Sequence, residues 1–292
     1  RVDRRQRQMC IRDRAEILHE AFHVATSGRP GPVVVDIPKD VQFATGTYTP
    51  PQMSRAASRY HPRVDADRAR VRAAVELLAS AKRPVFYTGG GVINSGPEAS
   101  RLLREFVART GIPVTSTLMG LGAYPASGEN WLGMLGMHGT YEANLAMHDC
   151  DVMICLGARF DDRITGRLDA FSPNSRKVHV DIDPSSINKN VRVDLPIIGD
   201  VGHVLKAMLE AWNELGLTMD TGALAEWKGQ IARWKARNCL AYRQDGDIIM
   251  PQHAVKRLYE LTRDRKTYIT TEVGQHQICL LYTSDAADDL LC

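Results

Sequence analysis

Short apolar runs alternate with stretches of helical spacing along most of the chain. Val33–Ile37, Pro84–Thr88, Pro113–Thr117, Val152–Leu156, Lys177–Ile182 and Pro196–Ile198 are compact apolar segments. Runs of this kind suit parallel strands covered on both faces. Helices are predicted over Ala15–Ser27, Asp67–Ala81, Pro97–Thr110, a short piece around Asn144–Met147, Val201–Gly216, Leu224–Leu240 and Met250–Leu261. Ile17, Leu18, Ala21, Phe22 and Ala25 share one side of the first. Val201, Val204, Leu205, Met208, Leu209, Trp212 and Leu215 keep the same spacing in Val201–Gly216. The helix with Trp227 and Trp234 is expected to cross the surface, and Lys266–Thr271 to open a further α/β unit. The βαβα order predicts an α/β fold with a doubly wound parallel sheet, Rossmann-like, at the centre.

Punctuation divides the chain. Gly28-Arg29-Pro30-Gly31-Pro32 stops the first helix, and Gly46–Pro62, rich in Pro, Thr, Ser and Arg without periodicity, reads as linker. The expected segments are 15–45, a linker 46–66, a complete central domain 67–217, a connecting segment 218–250, and the start of another domain at 251–277. Residues 1–14 and 278–292 resemble translated sequencing-adapter read-through and are expected to be non-native tails.

Composition changes this picture little. The 292 residues are 44% apolar and 24% charged with a formal net charge of +3, ordinary for a globular protein. Lys and Arg are scattered rather than striped, so nucleic acid is not expected as a partner. No uncharged apolar run is long enough for a membrane helix. Six cysteines, at 10, 150, 155, 239, 279 and 292, form no CxxC pair. Cys150 and Cys155 read as reduced buried thiols, a weak pointer to a cytoplasmic setting.

Candidate chemistry gathers where predicted strands end. Gly89-Gly90-Gly91 either lets phosphates approach the backbone or makes a plain turn. Leu135-Gly136-Met137-His138-Gly139 has two glycines that admit a flat ligand, although a lone histidine such as His138 is more often structural. After Val152–Leu156, Gly157-Ala158-Arg159-Phe160-Asp161-Asp162-Arg163 offers two arginines and two aspartates, either to grip phosphates and hydroxyls or as a solvated ion-pair face. Asp181 has the place of a ribose-holding acid, and equally of a turn former before Pro184. His19-Glu20-Ala21-Phe22-His23 matches HExxH, but Thr26 and Arg29 depart from the extended zinc pattern and no acidic third ligand stands out, so metal is not expected there.

Several blocks carry a family resemblance: MLGMHG (Met134–Gly139), GARFDDRITG (Gly157–Gly166), SGRPGPVVVDIPKD (Ser27–Asp40), STLMGLGAYP (Ser116–Pro125), VHVDIDP (Val178–Pro184) and TEVGQHQ (Thr271–Gln277). In this order they resemble the large catalytic subunits of the acetolactate synthase (acetohydroxyacid synthase) family, from about Ala15 to Gln277. The resemblance implies a thiamine diphosphate enzyme that condenses pyruvate with pyruvate or 2-ketobutyrate, releasing CO2, in branched-chain amino acid biosynthesis. It makes 15–45 the end of a pyrimidine-binding domain, 67–217 an FAD-binding domain, and 251–277 the start of a diphosphate-binding domain.

By the same resemblance FAD is contacted by Arg29, by Gly89, Gly90 and Gly91, and by Thr117, Leu118 and Met119. Leu135, Gly136, Met137 and His138 line the pocket, with Gly157, Arg159 and Asp161 opposite. Asp181, Ile182, Gly199 and Asp200 complete the FAD set. Val273, Gln275 and His276 are implied for thiamine diphosphate, and Lys39 and Arg163 for the substrate channel.

The family's activating glutamate and its Mg2+-binding aspartate motif match no residues here, so no catalytic residue is assigned and the chain alone is expected to be inactive. A homodimer or homotetramer and a regulatory small subunit are implied partners, in a bacterial-type cytoplasm or, with an organellar leader, a plastid or mitochondrion. Within the class, glyoxylate carboligase, sulfoacetaldehyde acetyltransferase and flavin-free acetolactate synthase are rivals, and RFDDR with MLGMHG favours the FAD-dependent type. A non-catalytic nucleotide-binding module is the rival from another class, and Gln275 and His276 argue against it.

Overall fold

Six short strands run parallel: β1 (Pro84–Thr88), β2 (Val114–Ser116), β3 (Trp131–Met134), β4 (Val152–Leu156), β5 (Arg176–Asp181) and β6 (Leu195–Ile198). Their spatial order is β3-β2-β1-β4-β5-β6, with parallel pairing throughout. The chain winds outward from β1 in one direction, then crosses back to β4 and winds in the other. This computed structural model describes residues 14–48, 50, 60–270 and 274, in two compact units divided after Val64. The sheet belongs to the second unit.

Strands β1 and β4 are buried at all five positions, as uninterrupted apolar runs must be when helices cover both sides. β3 was not expected. It lies at the sheet's edge, its burial alternates, and Gly133 interrupts its apolar run.

Three helices cover one face: α3 (Arg68–Ala79), α5 (Pro97–Thr110) and α8 (Val201–Glu214). The Asp67 carboxylate accepts from the Ala69 amide and starts α3. Pro97 begins α5, and Gly111, in the left-handed conformation at φ 68°, ends it. Phe106 packs between Phe86 (tilted, ring centroids 5.5 Å apart) and Trp212 (edge-on, 5.6 Å). Burying each such side chain contributes about 1.5–3 kcal/mol.

The other face is covered by α6 (Tyr141–Asp149) and α9 (Thr221–Lys235). Here the structure corrects the expectation of a surface helix. Leu224, Trp227 and Ile231 are buried with Val85, Tyr87 and Met153, and Trp227 Nε1 donates to the Pro84 carbonyl at 3.1 Å. The helix carries an apolar stripe at i, i+3 and i+7, and an exposed sheet face takes it up.

Two short helices follow strands, α4 (Gly90–Asn94) and α7 (Asp162–Thr165). The last described helix, α10 (Pro251–Thr262), buries only Val255. Of Lys266–Thr271, expected to open a further α/β unit, the described residues 266–270 have no regular structure.

The first unit has α1 (Arg14–Thr26) and α2 (Lys39–Phe43). Val33–Ile37 is not a strand, contrary to expectation, and Val34 is 87% exposed. A strand needs ladder partners for its backbone groups, and no other described segment of this unit is extended into one. The apolar side of α1 is only partly covered: Ile17, Ala21 and Ala25 are half-buried, Phe22 is 74% exposed and no residue is fully buried.

Candidate functional site

The winding reverses between β1 and β4, and doubly wound sheets take ligands beyond the carboxyl ends of the strands at such a point. The loops that leave the six strands gather along this edge and are tied to one another. Gly89 N donates to Leu156 O (2.9 Å), Gly91 N to Gly157 O (3.0 Å), and Gly157 N to Val180 O (2.8 Å). Thr117 N reaches Thr88 O (2.9 Å), Leu135 N reaches Ser116 O (3.2 Å), and Gly199 N reaches Asp181 O (3.1 Å). Almost all of the FAD positions implied by the resemblance in this unit are therefore in one row at one edge.

At the switch point two backbones touch. A Cβ on Gly89 would sit 2.3 Å from Gly157 O, and one on Gly91 2.6 Å from Gly157 Cα. Gly157 has φ +62°, and a Cβ there would meet Gly91 Cα at 2.5 Å. The sequence offered two reasons for the triple glycine, a ligand or a plain turn. The structure supplies a third: these glycines let the β1 and β4 loops pack backbone to backbone.

The rim is mixed in character. Leu118, Met119, Met137 and His138 are exposed, with Met119 at 73% and Met137 at 66%. A Cβ on Gly136, at φ +100°, would sit 2.6 Å from Arg163 O, and Met137 N donates to that same oxygen at 2.8 Å. The Asn144 amide clamps Gly136 from the other side, donating to its carbonyl (3.0 Å) and accepting from its N–H (2.8 Å). Thus the β3 and β4 loops are braced into one wall. Asn144 was read only as a helix former; its clamp becomes visible once Gly136 is placed.

Charges on the wall are paired and wet. Arg159 Nη2 lies 2.7 Å from Asp161 Oδ2, both about half exposed, and Arg163 pairs with Asp162 at 3.0 Å, both about 70% exposed. Such pairs contribute little to stability and open readily for a ligand.

Other candidates turn out to be occupied by local structure. Asp181 is buried and its Oδ1 accepts from Asp183 N at 2.9 Å, the turn-forming reading. Asp200 caps α8, accepting from Gly202 N (2.9 Å) and His203 N (3.3 Å), while its second oxygen accepts from Ser95 Oγ (2.7 Å). Thr117 caps the short turn of Leu118–Gly120. Ile182 is half-buried beyond β5.

Arg29 and Lys39 lie in the first unit. Arg29 follows α1 in a bend, and Lys39 opens α2 with Nζ 5.9 Å from the Phe43 ring centre. His23 Nδ1 lies 3.2 Å from Ser27 Oγ and its Nε2 3.3 Å from Tyr60 O. Among the described residues, no three or more His, Cys, Asp or Glu group as metal ligands, and no helix is long and apolar enough to cross a membrane. Val273, Gln275 and His276 lie outside the described residues.

Behind the wall a cavity of about 190 Å³ lies between Leu135, Asn144, Met147, His148, Ile164 and Phe171. Beside it Lys177 donates to the carbonyls of Ser172 (2.8 Å) and Ser175 (3.1 Å), and burial holds its ammonium below the ordinary lysine value. Burial also raises the Tyr87 phenol and the Cys155 thiol well above their usual ranges. An inert Cys155 follows.

Residues 71–208 match the family described as thiamine pyrophosphate enzyme, central domain. The acetolactate synthase large subunit of Haemophilus influenzae is 45% identical over 263 residues, covering 89% of this chain and 45% of that protein. The acetolactate synthase isozyme 3 large subunit of Escherichia coli is 43% identical, covering 91% of this chain and 46% of its own length. For the chloroplastic acetolactate synthase of Arabidopsis thaliana the figures are 42%, 92% and 40%. The chain thus spans less than half the length of these relatives.

Proposed function

We propose that this chain, homologous to acetolactate synthase large subunits and built around a thiamine pyrophosphate enzyme central domain, is the flavin-holding middle of such a synthase. The whole protein would condense pyruvate with a second 2-ketoacid and release CO2, toward branched-chain amino acids. The observation that carries the site assignment is the row of loops gathered at the carboxyl ends of the strands, centred on the switch point where Gly89–Gly91 packs on Gly157.

The residues fit FAD. Exposed Met119 and Met137 offer polarisable apolar contact to a flat ring, and Arg159 offers a half-exposed cation to a diphosphate. By the resemblance alone, Arg29 would serve the cofactor, and Lys39 and Arg163 the substrate channel. In this reading FAD would serve a structural role, with no net redox step. Thiamine diphosphate would supply the electron sink for decarboxylation; by the resemblance Val273, Gln275 and His276 would belong to its site, and Mg2+ would go with its diphosphate. The chain's own task is to orient and to exclude water: the Asn144 clamp and the Gly91–Gly157 contact keep the wall rigid. The name large subunit, carried by relatives, supports a small subunit as partner; homodimeric or homotetrameric large subunits and a bacterial-type cytoplasm are part of the same proposal.

Flavin fluorescence titration of the purified chain tests this. FAD should bind, and Arg159→Ala should weaken it about tenfold, the ~1.4 kcal/mol expected of one charge-assisted contact. No association of FAD with the parent chain would remove the flavin assignment.

A further inference from the structure

The β4 loop rests on a buried polar row that the site description leaves without a role. Tyr87, Cys155 and His179 are register partners across β1, β4 and β5, and all three are fully buried on the same face. Two of them converge on one atom: His179 Nε2 is 2.8 Å from Ala158 O, and Cys155 Sγ donates to it at 3.3 Å. A carbonyl only accepts, so Nε2 carries the hydrogen. Nδ1 of the same ring has no partner among the described residues, nor has the Tyr87 hydroxyl. A hydrocarbon side chain would fill this space without an orphaned nitrogen. What it would lack is a donor to Ala158.

Immediately beyond, Phe160 sits at φ +53°, a left-handed conformation that an aromatic residue adopts only when its surroundings enforce it. Its ring is wedged against His179 (centroids 5.0 Å apart) and Tyr87 (5.6 Å). Asn190 Nδ2 donates to Phe160 O at 3.0 Å. Both carbonyls flanking Arg159 are therefore held from below, and Arg159 is turned outward to its pair with Asp161.

We propose that His179 is a positioning residue for the candidate site: its Nε2–H bond to Ala158 O, with the ring's packing on Phe160, fixes the left-handed turn that presents Arg159 and Asp161 on the rim. The flavin part of the test rests on the function proposed above; the conformational part does not.

Amide hydrogen exchange of segment 157–163 in the full chain reads the turn directly. His179→Phe, which keeps a buried ring and removes the donor, should speed exchange about tenfold, a ~1.4 kcal/mol loss of local stability. His179→Met serves as a second apolar variant if the Phe chain does not fold. His179→Gln can reach the same carbonyl with its amide nitrogen and should exchange at the parental rate. FAD affinity should fall by a similar factor in the apolar variants and recover in His179→Gln. Parental exchange in the apolar variants overturns the proposal. So does rapid exchange in the Gln variant, which would make ring shape, not the bond, the agent. If the parent binds no FAD, the flavin reading fails while the exchange rates still decide the role of His179.

Discussion

On one face of the sheet Phe86, Ile154 and Val178 meet α3, α5 and α8 through hydrocarbon alone; one residue further along each strand, Tyr87, Cys155 and His179 face α6, α9 and the β4 loop. Both sets are buried, yet of these six side chains only members of the second bond to loop backbone. His179 and Cys155 reach Ala158 O, and on the same face Lys177 reaches the carbonyls of Ser172 and Ser175. Nonpolar packing gives cohesion without direction, whereas a buried donor costs desolvation and fixes one geometry. The first face therefore holds the domain together and the second shapes the loops.

The largest break in this contrast should come from the first face. Phe106→Ala removes the ring held between Phe86 and Trp212 and should cost about 3–5 kcal/mol, read as a lowered urea midpoint with unchanged slope. Exchange in segment 157–163 should rise only as far as global unfolding accounts for.

The second face should respond to pH where the first cannot. Burial pushes the Cys150 thiol up to about 11 from 9.0, offset in part by the Ser172 hydroxyl and the Lys177 charge. The unfolded thiol thus loses its proton near 9 while the folded one keeps it to about 11. Its stabilising effect is full below pH 9 and is lost as pH rises through 11, a span of roughly 2–3 kcal/mol. Cys155 and Tyr87 titrate in the same sense, and Lys177, with its lowered value, in the opposite one. Cys150→Ala isolates one member: its loss of urea stability between pH 8 and 11 should be smaller than the parent's. Equal losses would show that the thiol is not among the groups responsible.

The smallest effect belongs to the exposed side of α5, where Arg101 pairs with Glu98 at 2.6 Å and Glu105 at 3.1 Å. Arg101→Ala should leave the thermal midpoint indistinguishable from the parent, since solvated pairs of this kind are largely screened. A clear drop would mean that the first face relies on more than its hydrocarbon.

Strands β1 and β4 and helix α5 were legible to the residue because their signals are local: five unbroken apolar positions, or a proline and a glycine at the two ends. Signals that depend on a partner misled. Val33–Ile37 and Lys266–Thr270 have strand composition but no ladder among the described residues, while Trp131–Met134 pairs with β2 despite its glycine. For α9 the stripe was visible and its destination was not.

At the candidate site the sequence placed the loops well but not the duties of single atoms. Thr117, Asp181 and Asp200 were read as FAD contacts through resemblance; their oxygens are engaged by backbone amides of the next turn. The Gly89–Gly157 approach joins residues far apart in the chain and leaves no local trace. His179 left a trace, a polar side chain inside the otherwise apolar Val178–Val180, which reads as noise until Ala158 is seen above it.

The family match ends at residue 208, yet Trp212, Leu224, Trp227 and Ile231 are buried in the same two cores, and Trp227 reaches back to a carbonyl on the first strand. The family match thus stops short of the packing that closes both faces of the sheet, which the relatives' longer matches include. A chimaera joined at residue 208 or 217 would pair one parent's sheet with another parent's α9, against a surface shaped for its own. Seams between relatives belong beyond Lys235.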